Sequence, residues 1–298
     1  MRFIRPIDVT PAGLVSNVPE NDNPVWSATA TYALGAKVML DHNNWEALAA
    51  VPAGVKPGAE TVTKENPAKW LDLGATNRWK MFDRIVGTQT TNPGSVSVTI
   101  QPGAVINSLA LLNAQGETVT VVMTDPLEGV VATRSFSLID GSVDNWYDWF
   151  FEGIEYRSSV VVLDLPSYGT ASITITVTSS GTAAVGALVI GKVAEIGIAL
   201  YGTGVGIDDY SVKERDRWGG WSVTEGEFSD TAKFPVVVDT DRVAKVRRML
   251  TEIRARPVVW VGEESYEATI LYGFYTSLSL IYSGPILSDC QLEIEGLT

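Results

Sequence analysis

The sequence predicts a mainly β protein: a small N-terminal β module, a central antiparallel β-sandwich of jelly-roll type, and a C-terminal α+β domain with one clear helix. Three observations carry this. Segments such as "GSVSVTIQPG", "ETVTVVMTD", "SSVVVLDLP" and "ASITITVTSS" alternate apolar and polar residues, are rich in Thr, Val and Ile, and are separated by Gly, Pro or Asn-Asp breaks. One segment, "DTDRVAKVRRMLTEIRARP", instead has helical spacing: Val243, Val246, Leu250 and Ile253 share a face, with Met249 beside them. Short strand-like runs between Trp26 and Asn77 are crowded with turn residues, as in "VPAGVKPGAE".

In chain order, residues 1–23 are punctuated by Pro and Asn without periodicity and read as an extended arm. Such an arm either pairs with a neighbouring molecule or tucks onto its own domain. Residues 24–78 form the small module and residues 79–206 the sandwich, where several alternating strands follow one another without a helix. The apolar run "AAVGALVIGKVAEIGIALYG" carries Lys192, Glu195 and repeated glycines, so it reads as consecutive buried strands and not as a membrane span. Residues 207–298 form the α+β domain. Asp239, Thr240 or Asp241 is placed to cap its helix and Pro257 to close it. The flanking runs "KFPVVVD", "PVVWVG", "YEATILYGFYTSLSLIYSG" and "CQLEIEGL" are strands.

Composition narrows function. The chain has 298 residues and a net charge of −13, from 22 Lys and Arg against 35 Asp and Glu, which repels phosphate backbones and disfavours nucleic-acid binding. The one dense basic stretch is the outer face of the helix. The single cysteine, Cys290, allows no internal disulfide, and "MRFIRPIDVTPAG" lacks the apolar run of a signal peptide; both fit synthesis in a reducing cytoplasm.

Chemistry-bearing motifs are sparse, and no cofactor is implied. The lone His42 lies in the turn "LDHNNW", no Gly-x-Ser-x-Gly elbow accompanies it, and Cys290 sits in an alternating pattern that buries it. "YGTGVGIDDY" has Ile207 where a dinucleotide fingerprint needs its spacing to a third glycine, so it reads as a flexible linker between domains. Asp140 and Asp144, with Asn145 and Asp148, offer oxygen ligands to a hard cation, although their spacing is not that of an EF-hand.

Aromatic clusters are the stronger signal, because a ring face stacks on the C–H face of a sugar. One cluster is Trp146, Tyr147, Trp149, Phe150 and Phe151, with Trp146 and Trp149 as candidate sugar contacts. The other is Trp26, Tyr32, Trp45 and Trp70. With Gly35, Val38, Ala47, Pro57 and Gly58, this second cluster resembles the small carbohydrate-binding modules attached to chitinases and cellulases. The resemblance implies polysaccharide binding. Where that family carries exposed aromatics after its aromatic-x-Ala, this chain has "LAAVPAG". A segment of about fifty residues also needs large side chains for its own core, so these rings are expected to hold the module together as well.

The C-terminal half carries a second resemblance. Asp209-Tyr210-Ser211, the helix, Pro257 to Gly262, Tyr272 to Tyr275, and Leu292 to Leu297 resemble a family of bacteriophage and prophage tail-region proteins over roughly residues 140–298. This implies a virion structural protein of the tail tip, baseplate or fibre connector. Its partners would be other tail proteins and copies of itself, with bacterial surface polysaccharide as a further contact, and the resemblance transfers no catalytic residues. Two alternatives stand beside it. One is a soluble glycan-binding adhesin. The other is a polysaccharide hydrolase, for which the sequence offers only acids that nothing pairs.

Overall fold

The computed structural model describes residues 1–59, 67–140, 146 and 155–297. It is mainly β, and its sheets are antiparallel. The organising element is a single strand, Ser172–Glu195. Its first part alternates buried and half-buried residues, whereas Ala183 to Gly191 is buried throughout, as expected where a strand is covered on both faces. The two regimes meet near Ser179 to Gly181, where the register with Thr90–Ile100 shifts between Thr178 and Thr182. Such an irregularity bends a strand and increases its local twist.

This bend lets one strand serve two cores. Before it, Ser172–Glu195 pairs with Thr118–Asp125 and Thr90–Ile100, and Thr118–Asp125 pairs onward with Gly129–Ser137. After it, Ser108–Gln115 becomes the neighbour, with Val160–Val162 beyond. Ile173, Ile175 and Val177 meet Val96, Val98, Val119, Val121, Leu109, Leu111 and Leu188 in a sandwich-like core. On the outer face, Ser97 bonds Thr176 at 2.9 Å and Thr99 bonds Thr174 at 2.8 Å across the strands.

The far end of the long strand pairs with Arg2–Pro6, which pairs in turn with Val258–Val261. The sheet continues through Ile270–Ile281, Leu287–Gly296 and Phe228–Asp239 to an edge formed by Ile198–Ala199 and Gly204–Asp209. The first residues are therefore not an extended arm: Arg2–Pro6 is an interior strand, with Phe3 and Ile4 fully buried. The same pairing joins the expected sandwich and α+β domain in one sheet. "GTGVGIDD" is not a linker either, because Gly204–Asp209 runs as a strand across the expected boundary at residue 207.

The helix covers one face of this sheet. It spans Val243–Glu252 and buries Val243, Val246, Leu250 and the following Ile253 against Phe3, Phe234, Val258 and Trp260. Among the described residues no side chain caps it: a 3-10 turn, Thr240–Arg242, leads in, and the Thr240 hydroxyl is engaged by Gly284 and Ser288. The opposite sheet face buries Ile4, Val259, Val261 and Tyr272 against Ala110, Leu112 and Leu163 of the sandwich. No helix among the described residues is long and apolar enough to cross a membrane.

The N-terminal module is a separate three-stranded sheet, Lys37–Leu40, Asn43–Ala47 and Trp70–Ala75. Asp41 and His42 both take positive φ, 51° and 68°, at the two-residue turn between its first strands. This is the turn whose twist matches a hairpin. Glu20 ties the module to the chain before it, accepting from the Thr76 hydroxyl at 2.9 Å and lying 2.9 Å from His42 Nδ1.

Candidate functional site

The four aromatic residues of the module come together, but with one another. Trp70 is 5 % exposed, its indole N–H donates to the Val55 carbonyl at 3.2 Å, and Tyr32 meets it edge-on at 5.3 Å. The Tyr32 hydroxyl accepts from the Ser27 amide at 2.7 Å. Trp45 is half-buried against Gly58, where an added Cβ would lie 3.0 Å from the ring. Trp26 packs on the same cluster with its indole nitrogen buried. Trp70 lies in the module's core with Val38, Ala47 and Val51 and presents no face to a polymer, while Trp26, Tyr32 and Trp45 pack against that core half-buried. Trp146, by contrast, is 80 % exposed. Trp149 and Asp144 lie outside the described residues. Asp140 falls in the short strand Ile139–Asp140, paired with Glu155–Tyr156.

The two residues with intrinsic reactivity are also held structurally. His42 stacks on Trp79 at 4.4 Å while facing Glu20. The Cys290 thiol is buried between strands, and burial pushes its pKa up to about 11, far from a thiolate nucleophile.

A groove of about 780 Å³ lies where the sandwich meets the C-terminal sheet. Val86 and Leu112 line one side, Ile270, Leu271 and Tyr272 another, and Val205, Ile207 and Phe228 a third. Glu227, Asp230 and Glu267 add carboxylates. Glu267, from the 3-10 turn Glu267–Thr269, braces the two sides. Its Oε1 accepts from the amides of Ser158 and Ser159, both at 2.9 Å, and from their hydroxyls at 2.8 and 3.0 Å. Burial pushes the Tyr272 hydroxyl up to about 12, so it stays neutral.

At one end of the groove a hairpin leaves the sheet. Its strands, Val212–Arg215 and Trp221–Thr224, have every residue exposed. Asp216 forms the turn, its Oδ1 accepting from the amides of Trp218 and Gly220, both at 2.8 Å, while Gly219 takes φ 88°. Trp218 is 86 % and Trp221 66 % exposed, and Arg217 and Arg215 lie over their rings at 5.9 and 5.6 Å. The base is fixed. The Tyr210 hydroxyl donates to Glu295 at 3.0 Å, and Lys213 pairs with Asp209, holding that carboxyl below its usual range.

Sequence reasoning passed over both features. The hairpin had a signal: "RDRWGG" is an Asp-and-Gly turn between two short strand-like runs. The groove had none, because its walls come from segments far apart in the chain. Comparison with known protein families, with curated proteins and with solved structures finds no match.

Proposed function

We propose that this chain is a structural protein of a bacteriophage tail, at the tip, baseplate or fibre connector, which acts by assembling symmetrically with copies of itself and with other tail proteins. The observation that carries the assembly role is the hairpin. Val212, Trp218, Trp221 and Val223 are all exposed on one projection, beside a groove with apolar walls. Trp221 and Val223 share one face of the hairpin, Val212 lies on the other and Trp218 is in the turn; isolated soluble proteins rarely leave so many large apolar side chains in water on one small projection, and they mark an interaction site. Among the described residues Gly204–Asp209 is paired on one side only, which adds an open strand edge next to it. The tail assignment rests on the resemblance above, whose residues fall mainly on neighbouring strands of one sheet, Val258–Val261, Ile270–Ile281 and Leu287–Gly296.

Immunogold electron microscopy with antibody against the chain tests the assignment. Gold at one end of tailed particles is the expected result, and protein found only free in the lysate would overturn it. Exposed Trp146 favours a second reading, a glycan-binding adhesin, on the particle or free of it. Under that reading Trp146→Ala reduces binding to bacterial surface polysaccharide.

A further inference from the structure

Two side chains of the hairpin are complementary in charge to the groove. Arg215 and Arg217 sit on the hairpin tip, and Glu227 and Asp230 line the groove. None of these four side chains has an ion-pair partner among the described residues, although their neighbours do: Lys213 pairs with Asp209, and Lys233 with Glu293 at 2.8 Å. The tip cannot be satisfied by its own groove, because its two indoles stand in solvent. We propose that the hairpin tip of one copy docks in the groove of a second copy, Trp218 and Trp221 entering the apolar walls and Arg215 and Arg217 meeting Glu227 and Asp230. This rests on the assembly role proposed above and names its contact surface.

Size agrees with this occupant. A groove of about 780 Å³ lies in the roughly 300–1,000 Å³ range of sites that engulf a compact group. Two tryptophans bury roughly 150–250 Å² each. They therefore supply about half of the roughly 800 Å² per partner of a stable interface. Val223, on the same hairpin face as Trp221, and the groove rim supply more. A copy of this chain carries both halves of the contact, the two arginines and the carboxylates that meet them. Glu214 and Asp216 share the tip with Arg215 and Arg217, so the tip is neutral overall and the attraction is local, between the two guanidinium groups and the carboxylates of the groove. The contact is heterologous, tip to groove, so repetition closes a ring or runs into a filament.

The test measures the mass of the full chain by sedimentation equilibrium. The unaltered protein is expected to self-associate. Arg215→Glu with Arg217→Glu, and separately Glu227→Arg with Asp230→Arg, each weaken association at least about tenfold. Combining all four in one chain restores it, which a folding defect would not do. In a Cys290→Ser background, Trp218→Cys with Ala268→Cys is expected to form disulfides between copies. A protein that stays single, a mass unmoved by either reversal, a failed restoration, or a disulfide formed only within one chain overturns the proposal. So does loss of polysaccharide binding in the arginine variant with self-association unchanged. Particle labelling is a separate readout. Gold on tails with hairpin-independent association removes this contact and keeps the tail assignment, whereas hairpin-dependent association without gold on particles does the reverse.

Discussion

Phe3→Ala separates an interior strand from a free arm. Phe3 is fully buried, its ring 5.4 Å from Trp260, among the side chains that the helix Val243–Glu252 covers. The strand that carries it is hydrogen-bonded on both sides, to Gly191 through Glu195 and to Val259 through Val261. Neither neighbour can move in without breaking a ladder, so the space left by the phenyl ring stays largely open. Truncations of this kind cost about 3–5 kcal/mol. At about 2–4 °C per kcal/mol for a unit of some 150–250 residues, the melting midpoint falls by about 6–20 °C. Far-UV circular dichroism and the fluorescence of Trp260 should report the same loss. Ile4→Val on the opposite face should cost only about 0.5–1.5 kcal/mol. If residues 1–23 were an arm that mattered only in the assembled particle, Phe3→Ala would leave the isolated chain's unfolding untouched. A loss below about 1 kcal/mol, well under the cavity range, would refute the interior placement.

Three further outcomes follow from the packing. Gly191→Ala would put a Cβ 1.8 Å from the Arg5 carbonyl oxygen, a backbone atom. It should therefore cost at least the roughly 1–3 kcal/mol of an overpacked core in urea unfolding. Cys290, with its pKa raised from 9.0 to about 11, is about one part in a thousand thiolate at pH 8. Maleimide should label it slowly until urea opens the sheet, and stability should fall as pH rises from 9 towards 11, because the unfolded thiol ionises first. Trp70→Ala should cost the module about 3–5 kcal/mol. Hydrogen exchange would then speed up in Lys37–Leu40 and Asn43–Ala47 and remain slow in Ser172–Glu195.

The helix was legible because its signal is intrinsic to one segment: Val243, Val246, Leu250 and Ile253 recur at helical spacing, and all four are buried. The alternating strands were legible for the same reason. The fusion of Ser172–Glu195 into one strand was not, because "TSSGT" reads as a turn; neighbours on both sides hold it extended through a register shift instead. Arg2–Pro6 is five residues without clear alternation, and its burial depends on partners that no local pattern reveals. The module's rings were visible, but whether a ring packs inward or faces water is decided by the fold. The hairpin defeats the usual inference from hydrophobicity, because its tryptophans and valines are the exposed ones.

The same strand, Arg2–Pro6, bears on when the proposed contact surface can exist. Arg2 pairs with Glu195 and with Val261, so the first strand made finds its second partner only after most of the chain has been synthesised. Contacts so distant in sequence carry a large loop-closure cost and form late. Until the strand is seated, Ser172–Glu195 and Val258–Val261 each leave an edge unpaired, which is a hazard for premature association. Once seated, it is held at its margins as well, Arg2 pairing with Glu264 and Arg5 with Glu252. Its Ile4 also packs in one cluster with Leu112 of the sandwich and Tyr272 of the C-terminal sheet. Leu112 and Tyr272 wall the groove, and Glu267 then closes on Ser158 and Ser159 across it. The groove is therefore a product of completed folding, whereas the hairpin tip, built from contiguous residues, can form earlier. A tip that forms before its receptor encounters no receptor on a half-folded neighbour, so assembly through this contact selects copies that have already buried their own first strand.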